Sequence, residues 1–326
     1  MELSVVSTLY RSEGHLEEFH RRITAAAERV TADFELILVN DGSPDGSQDI
    51  ALELCRRDAR VRVIELSRNF GHHKAIMTGL AEARGERVFL IDCDLEEPPE
   101  VISEFDAEMR SSGADVVYGV QESRKGGLFE RASGALFYRL FNLLSTHSIP
   151  RNLVTARLMT RPYVEALVQH RDVELFLAGV FVLTGFTQTS LTVQKGSRTD
   201  TSYTLARRVG HLVNAVTSFS VRPLLLIFVV GWIIIVVASL TGGYLVIRTL
   251  FFGRLLPGFT TMMVSIWFLG GLTTFALGII GIYLSKIYAE VKRRPYTVVR
   301  ARYGQSVEHE DPAVPASPEG LLSELR

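Results

Sequence analysis

The 326-residue chain has two cysteines, Cys55 and Cys93, too few for a disulfide framework or a cysteine-ligated zinc site. It also lacks a basic excess. Lys and Arg number 35 against 36 Asp and Glu, a net charge of −1, which argues against a nucleic-acid partner. No strand-like run leads into G-x-G-x-x-G or a Walker A sequence, so neither a nicotinamide dehydrogenase nor a P-loop enzyme is expected. Met1–Leu9 has no basic start and no cleavage pattern, and it reads as a strand rather than a secretion signal. Over one stretch charge itself is missing. Mean hydropathy is +0.18, and residues 224–283 carry only Arg248 and Arg254.

Within that stretch, residues 224–247 and 260–283 are free of formal charge. Each is long enough as a helix to cross a hydrocarbon core of about 30 Å. Arg207, Arg208 and Arg222 precede the pair, and Lys286, Lys292, Arg293, Arg294, Arg300 and Arg302 follow it. Basic residues outside the hairpin place both termini in the cytoplasm and make the chain a multi-pass protein of the inner (plasma) membrane. Four regions are expected: a catalytic domain over 1–203, an amphipathic juxtamembrane helix over 204–222, two spans within 223–284, and a basic, then disordered, tail over 285–326. The juxtamembrane segment spaces Leu205, Val209, Leu212, Val213 and Val216 helically around Arg207, Arg208 and His211, which suits either the membrane interface or the domain surface. Pro312, Pro315 and Pro318 mark the end of the tail as a poor core former.

Residues 1–118 alternate strand and helix patterns: strands over 3–9, 34–40, 61–66, 87–91 and 114–118, helices over 13–30, 47–57, 72–83 and 98–110. Such alternation implies an α/β domain with a mostly parallel, Rossmann-like sheet whose ligands bind beyond the carboxyl ends of the strands. Asp41 and the pair Asp92 and Asp94 fall at those ends and should share one crevice. Two carboxylates one residue apart are hard oxygen ligands for Mg²⁺ or Mn²⁺, with a diphosphate supplying further oxygens. In Asp41-Gly42-Ser43-Pro44-Asp45-Gly46-Ser47, Ser47 is the expected helix cap, and Asp41 the expected acceptor for a base or ribose. Arg68 brings a cation towards the same place, while Arg124, Lys125, Arg131, Lys195 and Arg198 could face an anionic acceptor.

These motifs resemble the membrane-bound polyisoprenyl-phosphate glycosyltransferases of glycosyltransferase family two, relatives of dolichol-phosphate mannose synthase. The likeness runs from Ser4 to about Arg294 through Val39-Asn40-Asp41-Gly42-Ser43, Ser67-Arg68-Asn69-Phe70-Gly71, Asp92-Cys93-Asp94-Leu95 with Pro98-Pro99-Glu100, Leu136-Phe137-Tyr138-Arg139-Leu140 and Thr217-Ser218-Phe219-Ser220. It implies a GT-A fold and inverting, metal-dependent sugar transfer from a nucleotide sugar to a polyisoprenyl phosphate at the cytoplasmic leaflet. Undecaprenyl phosphate is the implied acceptor for a bacterial source, with the product feeding glycan or surface-polysaccharide modification. By the same resemblance Thr8, Tyr10, Glu13, Asp41, Arg68 and Asp92 hold the nucleotide sugar, and Asp92 and Asp94 hold the metal. Arg124, Arg131, Tyr138, Lys195 and Arg198 would meet the acceptor phosphate, and relatives can assemble as tetramers.

The sequence departs from that family at three places. Asn152 and Thr155 stand where two acids, one a proposed base, are usual; Arg157-Leu158 keeps the register. The acceptor is a phosphate monoester with a second pKa of about 6, mostly ionised at pH 7, so a strong base is dispensable. Asp94, with Thr155 and Arg157 orienting the acceptor, is then the expected catalytic set, the alternative being a scaffold that keeps the fold without turnover. Ser202 replaces a usual Lys, and His72-His73-Lys74 replaces Lys-Glu-Ala. A processive polysaccharide synthase is not expected, because Trp232 and Trp267, the only tryptophans, lie in the apolar runs.

Overall fold

Every residue of β1 (Leu3–Leu9) and β2 (Phe34–Asn40) is buried, the signature of strands covered on both faces. The computed structural model describes residues 1–121, 152–173, 175–194, 222–252 and 258–304, and it sets these two strands near the centre of an eight-stranded sheet. The others are β3 (Val61–Leu66), β4 (Arg87–Leu90), β5 (Val116–Val120), β6 (Leu153–Thr160), β7 (Gln188–Thr192) and β8 (Val299–Tyr303), in the order β7-β5-β6-β4-β1-β2-β3-β8. β4, β1, β2 and β3 run parallel, while β6 is antiparallel to β4 and β5, and β8 is antiparallel to β3.

Helices α1 (Leu16–Ala27), α2 (Ser47–Arg57) and α4 (Ile102–Ser112) cover one face of the sheet, and α3 (His72–Glu82), α5 (Arg161–Leu167) and α6 (Leu177–Leu183) cover the other. On α1 the buried positions are Leu16, Phe19, Ile23, Ala26 and Ala27, the three-and-four spacing of a single apolar stripe. β1 has β2 on one side and β4 on the other, so the chain reverses its winding direction there. A crevice therefore opens at the carboxyl ends of β1 and β4, where the loops diverge.

Two long helices follow, α7 (Arg222–Phe252) and α8 (Phe259–Val291). Among the described residues one helix, Ser265–Val291, is long and apolar enough to cross a membrane, and none of its most apolar window is buried. Leu224–Ile234 is a shorter apolar helical stretch. The tail reading needs correcting. After α8 the chain returns to the sheet as β8, so the domain over 1–203 is not a contiguous unit. In Val299-Arg300-Ala301-Arg302-Tyr303 an apolar–basic alternation supplies the strand pattern, and the edge of β3 offers unpaired backbone groups.

At the amino end of the sheet, buried Glu35 accepts the Ser4 hydroxyl (2.7 Å) and the Arg84 N–H (2.9 Å) and pairs with buried Arg62 (2.8 Å). Removing Glu35 leaves Arg62 with only its longer ion pair, to Glu82 at 3.5 Å, and takes the acceptor from the Arg84 N–H. Glu35→Leu is expected to cost about 3–5 kcal/mol in unfolding measured in detergent. Glu35→Leu combined with Arg62→Met should recover most of that, and an unchanged midpoint for the single variant would refute the pairing.

Candidate functional site

Three loops, after β1, β2 and β4, wall the crevice, and a fourth, after β3, is fastened to them by Asp41. That carboxylate is 2% exposed, and its two oxygens accept the N–H groups of Phe70 (2.7 Å) and Gly71 (3.0 Å). Burial raises its pKa, against the opposing pull of those donors. Gly42 makes the approach possible. Its φ is +63°, and an added Cβ would lie 2.6 Å from the Asn69 nitrogen. Arg68 is exposed in the fastened loop, with its guanidinium 4.1 Å over the Phe70 ring.

From the end of β1, the Thr8 hydroxyl lies 3.1 Å from Nδ1 of His72, and Tyr10 is exposed. The Glu13 carboxylate accepts the Gly46 N–H (3.1 Å), which holds it to the β2–α2 loop. Capping there differs from expectation: Ser47 is the first residue of α2, and its hydroxyl and N–H donate to Asp45 at 2.6 and 3.2 Å. Burial works to raise the Asp45 carboxyl. The Ser43 and Ser47 hydroxyls and the Glu13 and Ser47 N–H groups outweigh it and take the pKa down to about 2.

At the end of β4, Asp92 accepts the Thr155 hydroxyl at 2.7 Å, and its other oxygen lies 3.5 Å from Nε2 of His72. Asp94 accepts the Glu96 N–H at 3.0 Å. Leu95 between them sits at φ +60°, a left-handed conformation uncommon outside glycine and frequent at functional sites. Cys93 points inward, donating towards the Thr8 carbonyl and the Ser12 hydroxyl, and burial pushes its thiol up to about 11. Among the described residues no cluster of three or more His, Cys, Asp or Glu could cage an ion. Two hard carboxylates one residue apart at a strand end do fit Mg²⁺ or Mn²⁺ that keeps waters or takes diphosphate oxygens for its remaining positions.

The structure adds Glu97, which sequence reasoning passed over although it directly precedes Pro98-Pro99. It is 1% exposed and accepts the N–H groups of both Thr155 (3.0 Å) and Ala156 (2.7 Å). Successive N–H groups of a regular strand point opposite ways; here β6 is irregular, its pairing with β5 passing from Arg157 opposite Tyr118 to Leu153 opposite Val120. Glu97 thus sets Thr155 against Asp92. His72 is the second residue missed. Its neighbours also link elements: His73 to the Leu175 carbonyl (3.1 Å) and Lys74 to the Tyr296 ring (5.4 Å).

Arg157 requires a correction. It is 3% exposed, its guanidinium lies 3.3 Å over the Phe181 ring of α6, and burial lowers its pKa to about 10. It therefore packs in the core beneath α6 rather than facing an acceptor across the open crevice. Arg124, Arg131, Tyr138, Lys195 and Arg198 lie outside the described residues, as do residues 204–221 and the tail beyond 304. Glu97→Gln turns an amide N–H₂ towards one of the two backbone donors and leaves a buried group unsatisfied. It should cost about 1–3 kcal/mol in unfolding; a wild-type midpoint would mean that the carboxylate does not hold β6.

Residues 4–168 match Glycosyl transferase family 2. A Mycobacterium tuberculosis protein named as a glycosyltransferase is 47% identical, across 96% of this chain and 92% of its own length. A prophage-derived bactoprenol glucosyl transferase of Shigella flexneri is 31% identical, across 92% of this chain and 98% of its own. Among solved structures, mannosyl-3-phosphoglycerate synthase from Rubrobacter xylanophilus is similar with a TM-score of 0.48 and 18% identity, over 67% of this chain and 73% of that one. The α/β sheet is of the GT-A kind. Because the family match spans half the chain and the likeness to a named relative nearly all of it, the protein is a glycosyltransferase belonging to glycosyl transferase family 2.

Proposed function

We propose that this glycosyltransferase moves a sugar from a nucleotide sugar to a polyisoprenyl phosphate at the cytoplasmic face of the membrane, with inversion at the anomeric carbon. The observation that carries the reading is the presence in one chain of a crevice bearing Asp92 and Asp94 and of an exposed apolar helix, Ser265–Val291, long enough to embed in a bilayer. The 31% identity with a bactoprenol glucosyl transferase over most of both chains supports a lipid-phosphate acceptor. In this reading α7 and α8 form the hairpin, the basic residues at 286–294 stay cytoplasmic, and undecaprenyl phosphate is the acceptor. Assembly into a homo-oligomer such as a tetramer belongs to the same reading.

In the reaction an oxygen of the lipid phosphate forms the new bond to the anomeric carbon, and the bond from that carbon to the nucleoside diphosphate breaks. Thr8, Tyr10, Glu13 and Arg68 line the donor side, and Asp41 holds the 67–71 loop there through the Phe70 and Gly71 N–H groups. Asp92 and Asp94 would hold Mg²⁺ or Mn²⁺, which when bound neutralises charge on the departing diphosphate. Arg124, Arg131, Tyr138, Lys195 and Arg198 are the proposed contacts of the acceptor phosphate. That phosphate is mostly ionised at pH 7, because its second pKa is about 6. Thr155 in place of an acid is compatible with this chemistry: its hydroxyl donates to Asp92, where a second carboxylate would repel it. Thr155 then orients Asp92, and no side chain need take a proton from the nucleophile.

The test is transfer of label from a panel of nucleotide sugars to undecaprenyl phosphate, with Mn²⁺ or Mg²⁺ and with chelator. Product that requires the metal and falls by about 100-fold or more in Asp94→Asn is the expected result. No product from any donor, with the nucleotide still bound, would replace this reading with a scaffold that has lost turnover.

A further inference from the structure

The strand that returns from the membrane helix reaches the donor side of the crevice by two routes. The first is direct. Ser67, which opens the loop whose Phe70 and Gly71 N–H groups fasten Asp41, donates its own N–H to the Val298 carbonyl at 2.8 Å. Arg300 reinforces this by donating to the Ser67 carbonyl at 3.2 Å. The second route runs through Glu65, which is largely buried on β3. Its carboxylate takes Arg300 on one oxygen (3.0 Å) and the Tyr303 hydroxyl on the other (2.9 Å). The Tyr303-bound oxygen also takes the Gln48 amide (3.4 Å). Gln48 in turn accepts from Asn40 (2.6 Å), and Asn40 accepts the Ser43 N–H (2.8 Å) in the turn around Gly42.

The same segment is secured elsewhere. Thr297 meets Thr78 at 2.9 Å, Arg302 pairs with Glu82 at 2.8 Å, and at the end of α8 Glu290 accepts the Val173 N–H at 2.7 Å. Only residues 292–298 separate α8 from β8.

We infer that Arg300 and Tyr303 are positioning residues for donor binding, holding the loops at 40–43 and 67–71 in register through Glu65 and Ser67. This rests on the donor crevice proposed above. Neither residue touches the donor; they act by fixing the turn at Gly42 and the N–H donors of Asp41. Donor binding is thereby coupled to the segment that anchors the domain to the membrane helix. Arg302 is the internal control: it lies on the same strand but pairs with Glu82, at the far end of α3 from the crevice.

The experiment uses the full chain in detergent micelles, with Arg300→Glu/Tyr303→Phe, Arg300→Lys and Arg302→Ala beside the wild type. Two quantities are read: amide exchange of the 67–71 segment without ligand, and the Kd of a nucleoside diphosphate with Mn²⁺, using whichever of UDP, GDP, ADP and CDP the wild type binds most tightly. The double variant should show faster exchange at 67–71 and about five- to tenfold weaker nucleotide binding, as expected for losing one or two hydrogen-bonded contacts. Arg302→Ala should stay within about twofold of wild type, a smaller change than any single hydrogen bond is worth. Arg300→Lys keeps the charge beside Glu65 but not also the bond to the Ser67 carbonyl, and should fall between Arg302→Ala and the double variant. Unchanged exchange in the double variant, or an equal loss in Arg302→Ala, would overturn the inference. A wild type that binds none of the diphosphates counts against the donor crevice alone, because the exchange readout still decides the positioning.

Discussion

A carboxylate that accepts two successive backbone N–H groups, from a loop in one case and an irregular strand in the other, is the interaction on which this crevice depends, and it occurs on both walls. Asp41 takes Phe70 and Gly71; Glu97 takes Thr155 and Ala156. The irregular backbone of a binding loop cannot satisfy its own donors, and a buried unpaired N–H costs about 1–3 kcal/mol. An ionised acceptor removes that cost and makes the stronger, charge-assisted bond. The consequence is a division of labour among the acids. Asp41 and Glu97 each hold the backbone of another element, and Asp92 and Asp94 sit in the crevice between the walls so held.

Thr155 shows how the two walls meet. Its main chain ends on Glu97 and its hydroxyl on Asp92, so one residue connects the positioning carboxylate to the one proposed to work. An acid at 155 would place like charges within hydrogen-bond distance, with one held protonated or both pushed apart. Threonine removes that conflict and gives up a base. Such an exchange is tolerable where the nucleophile arrives already ionised, and a phosphate monoester does so whereas a sugar hydroxyl does not. The departure at 155 therefore bears on the class of acceptor as well as on the mechanism.

The parallel half of the sheet was legible because β1, β2 and β3 are short apolar runs bounded by turn residues, and their ends in the structure coincide with the sequence ranges. Asp41, Asp92 and Asp94 were legible for the same reason, as acids at the carboxyl ends of such runs. β6 was not. Thr155 and Arg157 interrupt its pattern, and its irregularity depends on Glu97, which is distant in sequence. Arg157 reads as a surface cation by type, and only the packing of α6 over it reveals a core position. β8 carries a visible two-residue alternation, but a cluster of basic residues after an apolar helix equally fits a membrane-flanking tail. His72 has no local signal at all, since its partners Thr8 and Asp92 come from two other strand ends.

The central claim is that the crevice at β1 and β4 receives a diphosphate through a divalent cation shared with Asp92 and Asp94. Its most direct test is the affinity of the wild-type chain for a nucleoside diphosphate, measured by calorimetry with Mn²⁺ and again with chelator. Binding about tenfold or more tighter with the metal, a difference of about 1.4 kcal/mol, is the predicted result. Equal affinity under both conditions would contradict the account, because the diphosphate would then be held without the two aspartates acting through a cation.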